Sequence, residues 1–147
     1  MALNFNTRGD LHETISLTYE EFVHHFGTND ERTQQITNAL PFLRTFHSCG
    51  CTTVYVGGSF VSTKKIPGDI DLCFDLSGID EEKIKKSLPE FFDWSQLGRI
   101  CRDLKCHILY FNEKTTELLD MLKTDRYDNR KGMVKLDLND IIYYDQK

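Results

Sequence analysis

Val54-Tyr55-Val56-Gly57-Gly58-Ser59-Phe60, followed by Ile66-Pro67-Gly68-Asp69-Ile70-Asp71-Leu72, decides the reading of this chain. The β-branched and aromatic run from Thr52 to Val56 predicts a strand that enters two glycines and a serine. Glycines let backbone N–H groups come close to a ligand and permit positive φ. Amides at a following helical turn, helped by a serine hydroxyl, suit a phosphate group. Ile70 to Asp75 predicts a second strand. Strand side chains alternate, so Asp69 and Asp71 are expected on one face, with Ile70, Leu72 and Phe74 turned into the core. Two neighbouring carboxylates repel unless a cation neutralises them. Hard oxygen ligands at this spacing suit Mg²⁺, commonly shared with a substrate's phosphates. The nine residues between Ser59 and Asp69 suffice to leave one strand, make a short turn and enter its neighbour. That spacing sets a phosphate cradle beside a metal site.

Outward from this centre, helices and strands interleave. Thr18 to Gly27 predicts a short helix, with Thr18 and Glu21 as a capping box and Gly27 as its stop. Ile36, Leu40, Leu43 and Phe46 recur at helical spacing in a second helix that begins near Asp30 and ends at Gly50. Pro41 is expected to kink it or start a new turn. Phe60 to Ile66 reads as a short helix or a loop. Asp80 to Leu88 predicts a charged helix, and Glu90 to Leu104 a mixture of helix and loop around Trp94. Lys105 to Phe111 predicts a third strand, Thr115 to Lys123 a short helix, Asp125 to Lys131 a polar loop, and Gly132 to Leu138 a final strand. Residues 1–17 read as an N-terminal arm or edge element, and 18–147 as a single domain. The expected class is α/β (α+β), a mixed β-sheet with helices mainly on the face opposite the aspartates.

Composition narrows the function. The chain has 147 residues, 39% apolar and 28% charged, enough for one domain with its own core. Its 18 basic against 23 acidic residues give a net charge of −5, which argues against extended nucleic-acid binding through phosphates. No apolar run approaches the ~18 residues of a membrane span, and the first residues lack a hydrophobic signal core. The five cysteines have no metal-binding spacing and read as small buried residues in a reducing compartment, so a cytoplasmic location is expected.

The quoted motif resembles the polymerase-β-like nucleotidyltransferase superfamily: a GGS turn, a gap of about ten residues, then Asp-hydrophobic-Asp. The chain is most similar to short bacterial nucleotidyltransferase-like proteins of uncharacterised function. These carry a GSF turn, here Gly58-Ser59-Phe60, a P-x-D-I-D segment, here Pro67 to Asp71, and a late KG-hydrophobic segment, here Lys131-Gly132-Met133-Val134. The resemblance covers roughly Thr18 to Leu138. It implies that Gly57, Gly58 and Ser59 hold the phosphates of an NTP, most readily ATP, and that Asp69 and Asp71 bind Mg²⁺. It implies an in-line displacement at the α-phosphate, with pyrophosphate leaving. It also implies a third carboxylate on a later, adjacent strand. The strand Lys105 to Phe111 has none. By alternation Asp103, Lys105, His107, Leu109 and Phe111 share a face, and His107 takes the place where the acid is expected. A histidine can ligate a metal or act as a base.

Lys64 and Lys65, between the turn and the aspartates, are further candidates for phosphate contacts. Asp75 is a reserve ligand. His24 and His25 do not share a helix face and are not read as a metal site. Ser59 lacks the elbow of a hydrolytic nucleophile. Phe91, Phe92 and Trp94 read as core. The favoured function is Mg²⁺-dependent transfer of a nucleoside monophosphate from an NTP to an unknown acceptor, protein or small molecule. A non-catalytic nucleotide- or protein-binding module of the same fold, for instance half of a two-component bacterial system, is the alternative; a purely structural interaction domain is a third reading. A homodimer or a partner protein could supply the acceptor surface that a chain of this length lacks.

Overall fold

The computed structural model describes residues 3–89, 93–115, 117–124 and 131–145. The expectations for Phe91, Phe92, the Trp94 side chain and residues 125–130 fall outside what it describes. Five strands form one mixed sheet in the order β1-β5-β2-β3-β4. They are β1 (Ile15–Leu17), β2 (Thr53–Gly57), β3 (Ile70–Asp75), β4 (Cys106–Phe111) and β5 (Val134–Asp137). The outer pairs β1–β5 and β3–β4 are parallel, while β2 runs antiparallel to both β3 and β5. The described helices are α1 (Tyr19–Phe26), α2 (Asp30–Ser48), α3 (Glu81–Ser87), α4 (Trp94–Leu104), α5 (Glu117–Leu122) and α6 (Leu138–Asp145). None of them is long and apolar enough to cross a membrane.

The sheet's two faces differ. Ile70, Leu72 and Phe74 are almost fully buried and join Val54, Val56, Ile108 and Leu136 in the main core. Against them pack residues of α1, α2, α3, α4 and α6, including Phe22, Phe46, Ile84, Leu97 and Ile141. The Phe46 ring stacks on Phe74 with centroids 3.8 Å apart. The opposite face carries a smaller cluster of Cys73, Phe111, Leu119 and Met133. Leu119 belongs to α5, so this short helix departs from the expected arrangement and covers part of the aspartate-bearing face.

Local chemistry explains the main boundaries. At α1 the Thr18 hydroxyl accepts from the Glu21 N–H at 3.1 Å, and the Glu21 carboxylate accepts from the Thr18 N–H at 2.9 Å. Asn29 caps α2 by accepting from the Arg32 N–H. Pro41 starts no new turn; α2 runs through it. Pro41 is exposed, and the carbonyl it leaves without an N–H, that of Thr37, belongs to another exposed residue, so water can serve it.

Two expectations need correction. The strand predicted from Lys105 begins at Cys106, because Lys105 closes α4 in the left-handed region at φ 54°. Its ammonium reaches Glu31 on α2 at 3.2 Å. Asp103 lies within α4, so neither residue continues the strand alternation that leads to His107. The predicted final strand stops at Asp137, and Leu138 opens α6. Residues 3–17, read as an arm or an edge element, are tied into the fold and end in β1 on the edge of the sheet. Phe5 bridges to Leu11, Asp10 bridges to Ser62, and Leu11 and Leu17 are buried. The Gly132 N–H donates to the Leu11 carbonyl at 2.8 Å, and a Cβ at Gly132 would collide with the Glu13 backbone.

Candidate functional site

Strand register assembles the site. Gly57 on β2 faces Asp71 on β3, and Asp71 faces His107 on β4. The three form one row across the sheet on the face opposite the main core. One row further along lie Tyr55, Cys73 and Leu109, which join the apolar cluster under α5. The charged row is thus left at the end of the sheet where β2 finishes and β3 and β4 begin.

Asp71 sits on an inner strand and is partly buried, its side chain 17% exposed. Oδ1 lies 3.4 Å from His107 Nδ1, and the imidazole is 54% exposed. The hydrogen bond to Asp71 raises the His107 pKa; partial burial opposes the shift, and the charges of Asp71 and Asp69 add to it. Asp69 precedes β3 by one residue, and the next N–H, that of Ile70, donates to the Lys105 carbonyl. Packing around the Asp69 carboxyl raises its pKa, and the neighbouring Asp71 charge raises it further. His107 and Lys64 pull the other way. Asp69 thus feels the charges of Asp71, His107 and Lys64 together.

Ser59 and its flanking glycines meet this carboxyl pair directly. Gly58 opens a 3₁₀ turn, Gly58–Val61, at φ 73°, a left-handed conformation that favours glycine. A Cβ at Gly58 would run into the Asp71 carboxylate. The positive φ favours glycine here, and any Cβ would also make the Asp71 carboxylate shift. The Ser59 hydroxyl has no hydrogen-bond partner among the described residues, while the Ser59 carbonyl accepts from the Ser62 hydroxyl.

What holds the connecting loop was not legible in the motif. Arg32 on α2 is 3% exposed. Its guanidinium donates to the carbonyls of Phe26, Phe60, Ser62 and Lys64 and lies over the Phe60 ring. Burial lowers its pKa, yet an arginine stays protonated. Asn29 donates to the Lys65 carbonyl and Gln35 to the Pro67 carbonyl, each at 2.8 Å. Asn38 donates to the Leu104 carbonyl. These residues recur every third position from the N-cap of α2 onward; the first three hold residues 60–67, and Asn38 ties α2 to the end of α4. The signal was present as polar residues at helical spacing within an otherwise apolar face, but polar spacing alone does not say that the acceptors are loop carbonyls.

The remaining candidates separate. Lys64 acts on Asp69 through its charge. Lys65 lines a cavity with Lys64 and the α1–α2 corner. Asp75 lies on the same face as Asp71 but accepts from the Ser77 N–H at the far end of β3. All five cysteines are free. Burial holds the Cys51 thiol at about 11 and the Cys73 and Cys106 thiols at about 12, far from a reactive thiolate. Among the described residues no group of three or more His, Cys, Asp or Glu is arranged to hold a metal ion.

The family model for a family of unknown function (DUF6932) matches residues 3–137, and the chain belongs to that family. No curated protein and no solved structure matches it.

Proposed function

We propose that this family member is a Mg²⁺-dependent nucleotidyltransferase that moves a nucleoside monophosphate from an NTP, most readily ATP, to an acceptor hydroxyl. The observation that carries the reading is the close approach of Gly58 to the Asp71 carboxylate, with Asp69 beside it. A phosphate cradle and a carboxylate pair share one end of the sheet.

The donor set fits a magnesium ion that arrives with its nucleotide. Mg²⁺ keeps several waters and is usually held by one or two carboxylates plus substrate phosphates. Asp69 and Asp71 are two such carboxylates, close enough that the charge of one acts on the other. Bound there, the ion would neutralise charge on the phosphates and on the departing pyrophosphate. The backbone of Gly57 and Gly58 and the Ser59 hydroxyl would hold and orient the phosphate chain. His107 offers Nδ1 to Asp71 and keeps Nε2 for a proton. In the reaction the acceptor oxygen bonds to the α-phosphorus, the bond to pyrophosphate breaks, and the hydroxyl proton passes to His107 Nε2. Free thiols, four of the five buried, and a need for NTP both suit a cytoplasmic location.

A second reading is a nucleotide-binding module without transfer. It is favoured by the side chain opposite Asp71 on β4, a histidine where the resemblance implies an acid. Incubation with α-labelled ATP, Mg²⁺ and cell extract separates the two. Transfer of label by the wild type, lost in Asp71→Asn, supports the enzyme. Mg²⁺-ATP binding without labelling supports the module. Absence of both overturns the proposal.

A further inference from the structure

A second cavity, of about 310 Å³, lies where the α1–α2 corner meets the loop that follows the 3₁₀ turn. Phe5 and Phe26 give it an apolar wall, and His25, Arg32, Lys64 and Lys65 give it basic groups. Among the described residues no aspartate or glutamate lines it, although acidic residues outnumber basic ones in the chain. The contrast with the larger cavity, of about 490 Å³, is direct. That one, near Thr52 and Thr53 at the other end of β2, is lined by Glu21, Asp137 and Asp140 against a single lysine. A phosphate group would be repelled there and attracted at the α1–α2 corner.

Arg32 strengthens the case independently. Its buried guanidinium is neutralised by no carboxylate among the described residues; its partners are four carbonyl oxygens. Carbonyl dipoles satisfy its hydrogens but leave its net charge in place. The field of that charge reaches the cavity it lines, where the low-dielectric apolar wall weakens it less than water would. Lys64 and Lys65 are exposed, with ammonium groups free of any ion pair among the described residues. Thr28, Asn29, Ser62 and Thr63 complete the lining with neutral polar groups. The volume suits a small molecule with a compact body, at the lower end of the usual ligand range.

We propose that this cavity binds a phosphate-bearing small molecule, its phosphate against Lys65, His25 and the Arg32 charge and its body against Phe5 and Phe26. The site is separate from the Asp69–Asp71 pair and needs no metal. Lys64 links the two, lining the cavity and acting on Asp69 through its charge. Its occupant is either a phosphorylated acceptor or the phosphate chain of a nucleotide, and the two are distinguished by experiment.

Calorimetry in EDTA with ATP and with ribose 5-phosphate tests this. The wild type is expected to bind at least one of them saturably. Tighter binding of ribose 5-phosphate identifies a monoester site, and tighter binding of ATP a phosphate-chain site. The combined Lys65→Gln and His25→Gln variant should weaken binding about tenfold or more, through loss of charge-assisted contacts. Lys86→Gln, on exposed α3, should leave binding within about twofold, the usual weight of a distant screened charge. The titrations contain no Mg²⁺, so failure of the metal-site reading and failure of this one are told apart. Should the double variant not fold, Lys65→Gln alone, at an exposed side chain, reads the same effect. Absence of saturable binding to either probe, or binding that the lysine variant leaves unchanged, overturns the proposal.

Discussion

The two faces of β3 put opposite demands on one six-residue strand. Ile70, Leu72 and Phe74 are buried against α2 and its neighbours, and Phe74 stacks on Phe46. Asp71 on the other face is partly buried in a row between buried Gly57 and exposed His107, and Cys73 behind it is fully covered. The buried face supplies stability, and the other face spends part of it on two neighbouring carboxylates. Substitutions on the two faces should therefore fail differently, the first by unfolding and the second by losing ligand.

The largest expected effect is on the buried face. Phe74→Ala removes a ring that is fully buried and stacked, and should destabilise the protein by about 3–5 kcal/mol in urea unfolding. A loss below about 1 kcal/mol would mean that the stack carries little of the core's stability. Next comes the seam that ties α2 to the site loop. Arg32→Ala strips the donor from four carbonyls, three of them bonded in buried or closely packed surroundings. At ~1–3 kcal/mol for a buried acceptor left unsatisfied, part of it recovered by water, a loss of about 2 kcal/mol or more is expected. It should come with faster hydrogen exchange in residues 60–67. Unchanged exchange there would show that the loop does not depend on this clamp.

Gly58→Ala joins the two faces in one measurement. The left-handed φ and the encounter with the Asp71 carboxylate should together cost about 1–3 kcal/mol. In an Asp71→Ala background the encounter is gone, and only the φ cost of about 1 kcal/mol should remain. Equal costs in both backgrounds would show that turn and aspartate do not press on each other.

The smallest effect is the pH dependence of the Asp71–His107 pair. The folded state raises the His107 pKa above its usual 6.5, so the unfolded chain holds this proton less tightly. The stabilisation is complete below pH 6.5 and is lost as pH rises through the higher folded value. With the imidazole half exposed and screened, it should amount to less than about 1 kcal/mol. Urea unfolding in EDTA at pH 5.5 and pH 8.5 should show a larger fall with pH in the wild type than in His107→Ala. Asp69 also has a raised pKa, so its ionisation costs stability as pH rises above 3.8. His107 lowers the Asp69 pKa, so the difference between the two proteins reports the histidine together with its coupling to the two aspartates.

Much of this architecture is legible in the chain because its signals are local. The capping box of Thr18 and Glu21, the β-branched run ending at Val56 and the alternation from Ile70 to Asp75 each need only neighbouring residues. The polarity of β3 follows from that alternation alone. Other features depend on distant partners. β1 is only three residues long and becomes a strand by pairing with β5, more than a hundred residues later. Lys105 reads as strand by composition, yet it turns left-handed to close α4. That shift of one residue removes Asp103 from the strand face. Arg32 and Gln35 give no sequence sign of the loop carbonyls they bind, because those contacts span about thirty positions. The proximity of Asp69, Asp71 and the glycine turn was readable from spacing; the cavity beside Lys65 was not, since Phe5, His25 and Lys65 meet only in the folded chain.

The central claim is that the carboxylate pair beside Gly58 receives Mg²⁺ together with a nucleotide. Calorimetric titration of ATP with and without Mg²⁺ into the wild type, Asp69→Asn and Asp71→Asn tests it most directly. The account predicts that Mg²⁺ strengthens binding to the wild type and that each variant loses that strengthening, by about tenfold or more, while staying folded. The same Mg²⁺-dependent affinity in all three proteins would contradict it.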